Sequence, residues 1–168
     1  MSNHAPTTDE LRAHSEWLST AGASGQRLDK HNADLSGIDL TGSNLSQAAF
    51  AGARFDNAKL VGTNFTDADL SGASLEGADA DGAQFTNANL SNTNLRGTSL
   101  QGTSLDGANL SEANGIGAQC SGANFTNANL TGADFSEGDF DGADLTGAQQ
   151  DGLKLDGAEL ADVRGLAE

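Results

Sequence analysis

Large apolar residues recur at every fifth position along most of the chain, and the phase does not slip between Leu35 and Leu160. These positions are termed the centres of the repeat. Leucine or phenylalanine occupies every centre in this span except four, which are Ala80, Gly115, Cys120 and Gln150. All seven phenylalanines of the protein are at centres, and a small residue, usually alanine, stands two places before nearly every centre.

A period of five matches neither the 3.6 residues of a helical turn nor the two-residue alternation of a strand, so neither element alone places these residues on one side. A chain that turns a corner every five residues does so. In that arrangement the centre and the small residue two before it point inward, while the other three positions face water. The pattern therefore predicts an all-β solenoid.

The repeated blocks Ala33-Asp34-Leu35-Ser36-Gly37 and Ala128-Asn129-Leu130-Thr131-Gly132 match the pattern A(D/N)LXX. The chain thus resembles the pentapeptide repeat family over residues 33–163, and the resemblance points to a bacterial protein. It implies a right-handed quadrilateral β-helix with four pentapeptides per coil, so that residues twenty apart stack in columns. We expect about six and a half coils and a rod roughly 31 Å long, at a strand-like spacing of ~4.8 Å.

Residues 1–32 lie outside the period and are expected to form a capping helix and a linker, with residues 164–168 as a C-terminal tail. Thr7 and Glu10 have the spacing of a capping box, with Thr7 as the N-cap. Trp17 and Leu18 then lie on one side of the helix. We expect them to cover the open first coil and prevent edge-to-edge pairing, although a partner-binding helix is the alternative.

The largest irregularity within the repeat is at Gly115, which is followed at the next centre by Cys120. Ile116 occupies a position that should face water. One interpretation is that Ile116 partly compensates for the missing side chain of Gly115 and leaves a bulge or cavity. The other makes Gly115 and Ile116 a contact patch, and the pattern does not decide between them.

Composition changes this picture little. Of 168 residues, 36% are hydrophobic and the formal net charge is −16, which without the strict period would be typical of disorder. The single cysteine excludes an intramolecular disulfide. The sequence has no basic and apolar leader and no run of about 20 apolar residues, so we expect a cytoplasmic protein, with export by a signal-less route left open.

The chain contains no recognisable catalytic or metal-binding motif. His4, His14 and His31 lack the spacing of a metal or catalytic set, and the period itself distributes the carboxylates over outward positions. The regularly spaced glycines precede no Gly-Lys-Ser/Thr sequence and form no phosphate loop. We therefore expect a protein that is not an enzyme and uses no metal or cofactor.

The strong acidity disfavours nucleic acid and anionic membrane as partners, because both would be repelled, and it favours a protein with a basic surface. Several acidic residues of the repeat form a candidate interaction surface. They are Asp79, Asp81, Asp134, Asp139, Asp141, Asp144 and Glu159.

Two functions remain open. The first is a non-catalytic protein-interaction scaffold whose charge serves mainly solubility. The second, implied by resemblance to the quinolone-resistance members of the family, is a DNA mimic that binds and inhibits or protects DNA gyrase or topoisomerase IV, which makes a type II topoisomerase a candidate partner. Residues 97–133 hold only Asp106 and Glu112 as acidic residues, and the chain lacks the projecting loops and aromatic C-terminal helix of those members. The scaffold is therefore preferred.

Overall fold

The computed structural model describes residues 5–167, which form one helix followed by a β-helix. The helix, α1, spans Thr8–Ser19. The Glu10 backbone N–H donates to the Thr7 hydroxyl (3.2 Å), and the Thr7 N–H donates to the Glu10 carboxylate (2.7 Å). This reciprocal pair is the capping box that the sequence predicts, and it satisfies two backbone donors at the start of the helix.

The rest of the described chain pairs with itself at a spacing of 20 residues. Single-residue parallel bridges recur every five residues, from Asp29 with Ala49 to Asp144 with Arg164. One turn of the solenoid therefore contains four pentapeptides and has four sides, which confirms the predicted β-helix. Pairing begins at Asp29, so the predicted boundary at residue 33 lies inside the first coil.

Each pentapeptide is tied to the next coil by backbone hydrogen bonds of constant pattern. The Leu35 N–H donates to the Arg54 carbonyl (2.7 Å), and the Arg54 N–H donates back to the Ala33 carbonyl (2.8 Å). At the corner, the Gly37 N–H donates to the Asp56 carbonyl (2.9 Å). The same three bonds recur in coil after coil, so the backbone is satisfied without long strands.

The corners place the residue two after each centre in the left-handed backbone region. On one side this residue is glycine in six successive coils, as at Gly62, where φ is 61°. Gln47, Glu112 and Glu137 adopt φ of 60°, 58° and 60° at equivalent corners, which costs a non-glycine residue about 1 kcal/mol or more each. The coil geometry thus overrides the local preference of these residues.

The core is a continuous stack of buried centres, flanked by the small residues two places before them. The Phe65 and Phe85 rings stack with centroids 5.0 Å apart. Where threonine replaces the small alanine, its hydroxyl donates to a backbone carbonyl, as Thr98 does to Leu75 (2.7 Å). Fully buried hydroxyls are therefore satisfied, and the polar substitutions leave the core intact.

The two ends of the solenoid differ. α1 lies against the first coil, where Leu11 packs on the core and His14 is buried. At the other end, Leu153 and Leu155 are only half-buried, and Leu160 and Leu166 are 37% and 39% exposed. No helix among the described residues has the length and apolar character needed to cross a membrane.

Candidate interaction surface

Five of the seven predicted acidic residues lie together on one side of the β-helix, here termed the acidic face. The bridge register stacks residues twenty apart, so Asp79, Asp139 and Glu159 occupy one column of bridge positions. Asp81 and Asp141 follow two residues later, at the adjoining corner. The sequence alone names these residues, but only the register shows that they share a side.

Hydrogen bonds between coils orient the carboxylates of the acidic face. Asp81 accepts from the Ser99 hydroxyl (2.5 Å) and from the Gln101 backbone N–H (3.1 Å) of the next coil. Asp141 accepts from the Ala161 N–H (2.8 Å). These bonds restrict side-chain freedom, so the charges are presented at defined positions on a rigid backbone.

Asp139 is held in the same way. Its carboxylate accepts from the Ser121 hydroxyl and from the Asp141 backbone N–H (3.0 Å), and these bonds hold the pKa of Asp139 below its ordinary value. The carboxylate therefore stays charged at neutral and mildly acidic pH.

The acidic face is interrupted in its middle. Two successive coils between Asp81 and Asp139 carry neutral side chains, with the Gln101 amide donating to the Gln119 amide oxygen (3.1 Å). Asp79 and Asp139 are 60 positions apart, which is three coils or roughly 14 Å at β spacing. The surface therefore presents two separate anionic clusters.

One of these clusters brings three carboxylates close together. Oxygen atoms of Asp139, Asp141 and Glu159 lie within 4.8 Å of one another, the one group in the described part of the chain with metal-site spacing. Carboxylate oxygens are ligands for hard divalent cations. The cluster is at the surface, however. The carboxylates of Asp139 and Asp141 already accept hydrogen bonds from Ser121, Asp141 and Ala161, so this hydrogen bonding accounts for the position of the two groups without a metal ion.

Asp134 and Asp144 lie on the two neighbouring sides and differ from the acidic face in their charge partners. The Lys154 ammonium lies 3.5 Å from Asp134, and the Arg164 guanidinium lies 2.9 Å from Asp144, each one coil further on. Among residues 5–167, no basic side chain forms such a pair with the five carboxylates of the acidic face. The structure thus separates two paired acids from five unpaired ones.

At the predicted irregularity the structure shows neither a bulge nor a cavity. A Cβ atom at Gly115 would overlap the ring of Phe135, which stacks one coil further along the same column and fills the space. The register continues through Asn114, which pairs with both Asn94 and Asp134. The ring of Phe135, and not Ile116, thus occupies the space of the missing side chain. Ile116 stays half-buried at its corner.

Cys120, the next centre, offers no chemistry. Its side chain is fully buried, and that burial raises the pKa of the thiol far above its ordinary value. A thiol without a stabilising cation or solvent access is neither a nucleophile nor a metal ligand. Cys120 acts as a small core residue.

The interface between α1 and the first coil contains two buried polar residues that sequence reasoning missed. Lys30 occupies a centre and is 2% exposed, and its ammonium lies 2.9 Å from the Glu10 carboxylate. His14 is fully buried between backbone groups of the first coil. Leu28 and Lys30 are in phase with the repeat, so extending the period toward the N-terminus would have placed Lys30 at a centre.

Trp17 and Leu18, the predicted capping residues, are half-buried on α1. The Trp17 ring stacks on His14, with centroids 5.9 Å apart and an interplanar angle of 11°. Leu11 packs on the core, and His14 contacts the backbone of the first coil. His4 lies outside the described residues, and His31 is bonded to Asp29 at the surface.

Comparison with known proteins identifies the architecture. A family model described as pentapeptide repeats matches residues 31–67, 63–102, 93–132 and 123–162. A search of curated proteins found no match to this chain.

Among solved structures, HetL, a pentapeptide repeat protein involved in heterocyst differentiation regulation in the cyanobacterium Nostoc sp. strain PCC 7120, is 32% identical. The match covers 83% of this chain and 70% of HetL, with a TM-score of 0.38. A pentapeptide repeat protein of the Arabidopsis thaliana thylakoid lumen is 35% identical over 64% of this chain and 68% of its own, with a TM-score of 0.39. QnrB1, a plasmid-mediated fluoroquinolone resistance protein, is 24% identical over 78% of this chain and 81% of its own, with a TM-score of 0.46. By the extent of the repeat match, the chain belongs to the pentapeptide repeat family.

Proposed function

We propose that this protein is a non-catalytic interaction scaffold whose acidic face binds a basic surface of another protein. The observation that supports this most directly is the set of five carboxylates that share one side and have no basic partner in the described chain. Lys59 precedes Asp79 in the same column without forming an ion pair, so the acids outnumber the bases on this face. An excess of one charge sign on one face raises the local concentration of an oppositely charged partner and speeds its association.

The rigidity of the scaffold supports a binding role. Asp81 and Asp141 are oriented by hydrogen bonds from the neighbouring coil, so little side-chain freedom is lost when a partner docks. The two anionic clusters lie roughly 14 Å apart, which an extended chain spans in about four residues. A matching partner therefore carries two basic groups at that separation.

The experiment compares two peptides of equal composition by calorimetry. One has two Lys–Arg pairs about four residues apart, and the other has the same basic residues in one block. We expect the spaced peptide to bind more tightly and its affinity to fall as salt is raised, because surface charges are screened. Equal binding of both peptides would contradict recognition by two clusters.

A pair of charge-matched variants separates the acidic face from bulk acidity. The first replaces the acidic face with Asp79→Asn, Asp81→Asn, Asp139→Asn, Asp141→Asn and Glu159→Gln. The control removes the same charge from the opposite side and its corners with Asp67→Asn, Asp69→Asn, Asp106→Asn, Glu112→Gln and Asp151→Asn. We expect the first to lose at least about tenfold in affinity and the control about twofold. Equal losses would mean that only net charge matters.

DNA mimicry remains the second candidate, supported by the charged face of the slim rod. A duplex mimic should present charge as continuously as phosphates do, whereas two coils of the acidic face are neutral at Ser99, Gln101, Gln119 and Ser121. A supercoiling assay with DNA gyrase and topoisomerase IV distinguishes the candidates. Inhibition at low salt that the acidic-face variant loses would favour mimicry, and no effect of the parent protein would exclude it.

A further inference from the structure

His14 joins α1 to two backbone groups of the first coil. Its Nε2 lies 3.1 Å from the Ser46 carbonyl oxygen, and its Nδ1 lies 3.1 Å from the Leu28 backbone nitrogen. A carbonyl can only accept and an amide N–H can only donate. The ring must therefore be neutral, with its hydrogen on Nε2 and a bare Nδ1.

The ring supplies bonds that inner coils obtain from their neighbours. One coil further on, the Thr66 carbonyl, which is equivalent to that of Ser46, accepts from the Gln47 N–H (2.8 Å). The first coil has no coil before it, so His14 provides the missing donor at Ser46. On its other side His14 accepts the Leu28 N–H. The imidazole thus terminates the backbone ladder at the point where the repeat begins.

Protonation is incompatible with this arrangement. A second hydrogen, on Nδ1, would face the Leu28 N–H, so two donors would meet and both would be left without an acceptor. His14 is fully buried, and an unpaired donor or charge in such a position is costly. Desolvation lowers the pKa of His14, and the hydrogen bond to Ser46 opposes this effect.

The charged groups around the ring do not favour the imidazolium. Arg27, from the segment that connects α1 to the first coil, adds a positive charge that lowers the pKa of His14 further. Glu10, one helical turn before His14, is already paired with Lys30 of the first coil. The other carboxylates that line the cavity beside the helix are Asp9 and Asp29. Within the described residues, no carboxylate is hydrogen-bonded to the His14 ring.

We infer that α1 is a pH-sensitive latch, in which protonation of His14 releases the helix from the first coil while the remaining coils stay folded. Released His14 binds a proton more readily than docked His14. Docking is therefore at full strength above the ordinary histidine pKa of about 6.5 and weakens as the pH falls below it. The coils are held by buried Leu and Phe and by backbone bonds, which do not titrate in this range.

The fluorescence of Trp17 reports whether α1 is docked on the first coil. Trp17 is the only tryptophan, and its ring stacks on His14. We expect the emission of Trp17 to stay constant above the ordinary histidine pKa and to change below it, as the helix is released. Over the same range, the exchange protection of the Leu28 amide should fall by up to tenfold per pH unit, as expected for one linked proton.

His14→Gln is the test variant, and His31→Gln is its matched control, because His31 is bonded to Asp29 at the surface. We expect the emission change to persist in His31→Gln and to be absent from His14→Gln. A transition that survives in His14→Gln, or one that disappears in His31→Gln, would overturn the latch.

Because His14→Gln could itself weaken docking, the parent protein is also followed by NMR. The ring resonances of His14 should titrate with the same midpoint as the loss of Leu28 protection and the change in Trp17 emission. Titration of His14 with the Leu28 amide still protected would show that the protonated ring stays docked, and the latch would then be excluded.

Discussion

The two ends of the β-helix use the same core column in different ways. At the first coil the centre of this column is Lys30, buried and paired with Glu10 of α1. At the last coil it is Gln150, half-buried, whose amide donates to the Gly165 carbonyl (2.7 Å) and accepts from the Ala167 N–H (3.0 Å). Both ends replace an apolar centre with a polar residue that binds a segment outside the repeat.

The segments differ in what they cover. α1 adds the contact of the half-buried Leu11 with the core and the His14 bonds to the backbone edge, whereas the C-terminal tail leaves Leu155 half-buried and Leu160 37% exposed. A repeat buries each coil against its neighbours, so a terminal coil needs cover that the repeat itself cannot supply. In the described chain, that cover is far more extensive at the N-terminal end.

The largest effect should follow from removing the segment that covers the N-terminal end, and removing the C-terminal tail should have a much smaller one. Deleting residues 1–26 removes the Leu11 contact, the His14 hydrogen bonds and the Glu10 partner of Lys30, and it uncovers the first backbone edge. We expect a loss of about 3 to 5 kcal/mol or aggregation. Deleting residues 165–168 removes the two exposed hydrogen bonds that Gln150 forms with Gly165 and Ala167, and it should cost about 1 kcal/mol or less. Urea unfolding and size-exclusion chromatography measure both, and a monomeric N-terminal truncation with an unchanged midpoint would contradict the role of α1.

A pair of core substitutions in one column compares the coils beneath the two ends. Leu35 is 1% exposed in the first coil, and Leu155 is half-buried in the last. We expect Leu35→Ala to cost about 2 to 5 kcal/mol of unfolding free energy and Leu155→Ala about 1 kcal/mol. Denaturant unfolding gives both values. Equal losses would show that the last coil is as well covered as the first.

Two variants of the Glu10–Lys30 pair test whether the ion pair itself stabilises the cap or only neutralises a buried charge. Glu10→Gln leaves the Lys30 ammonium buried with a weaker acceptor and should cost about 1 to 3 kcal/mol. Lys30→Met places an apolar side chain of similar length at a centre, and the stability should stay within about 1 kcal/mol of the parent or rise. Thermal unfolding compares the variants. A large loss for Lys30→Met would show that the charge itself stabilises the cap.

The smallest effect is expected at the surface of the last coil. Arg164 pairs with Asp144 at 2.9 Å, but its side chain is 71% exposed. Arg164→Gln should therefore cost less than about 1 kcal/mol, and the difference should shrink in high salt. Unfolding at two salt concentrations tests this. A loss comparable to that of Glu10→Gln would mean that this pair also fastens its end of the solenoid.

The middle of the molecule shows how far sequence reasoning reached. The five-residue period identified the solenoid and its inward residues, and the Thr7–Glu10 spacing identified the capping box, because each of these follows from a local rule of residue spacing. It did not reveal that Phe135 fills the space above Gly115. That contact joins residues twenty apart, and its outcome depends on the volume of both side chains.

The sequence by itself determined the repeat, the fold and the residues that face the core, since every coil applies one local rule. Tertiary structure decided what lies at the ends and on the faces. It brought Asp79, Asp81, Asp139, Asp141 and Glu159 to one side through the coil register and gave Asp134 and Asp144 basic partners. It also placed His14 and Lys30 in the cap, because polar residues are buried only where specific partners from distant segments satisfy them.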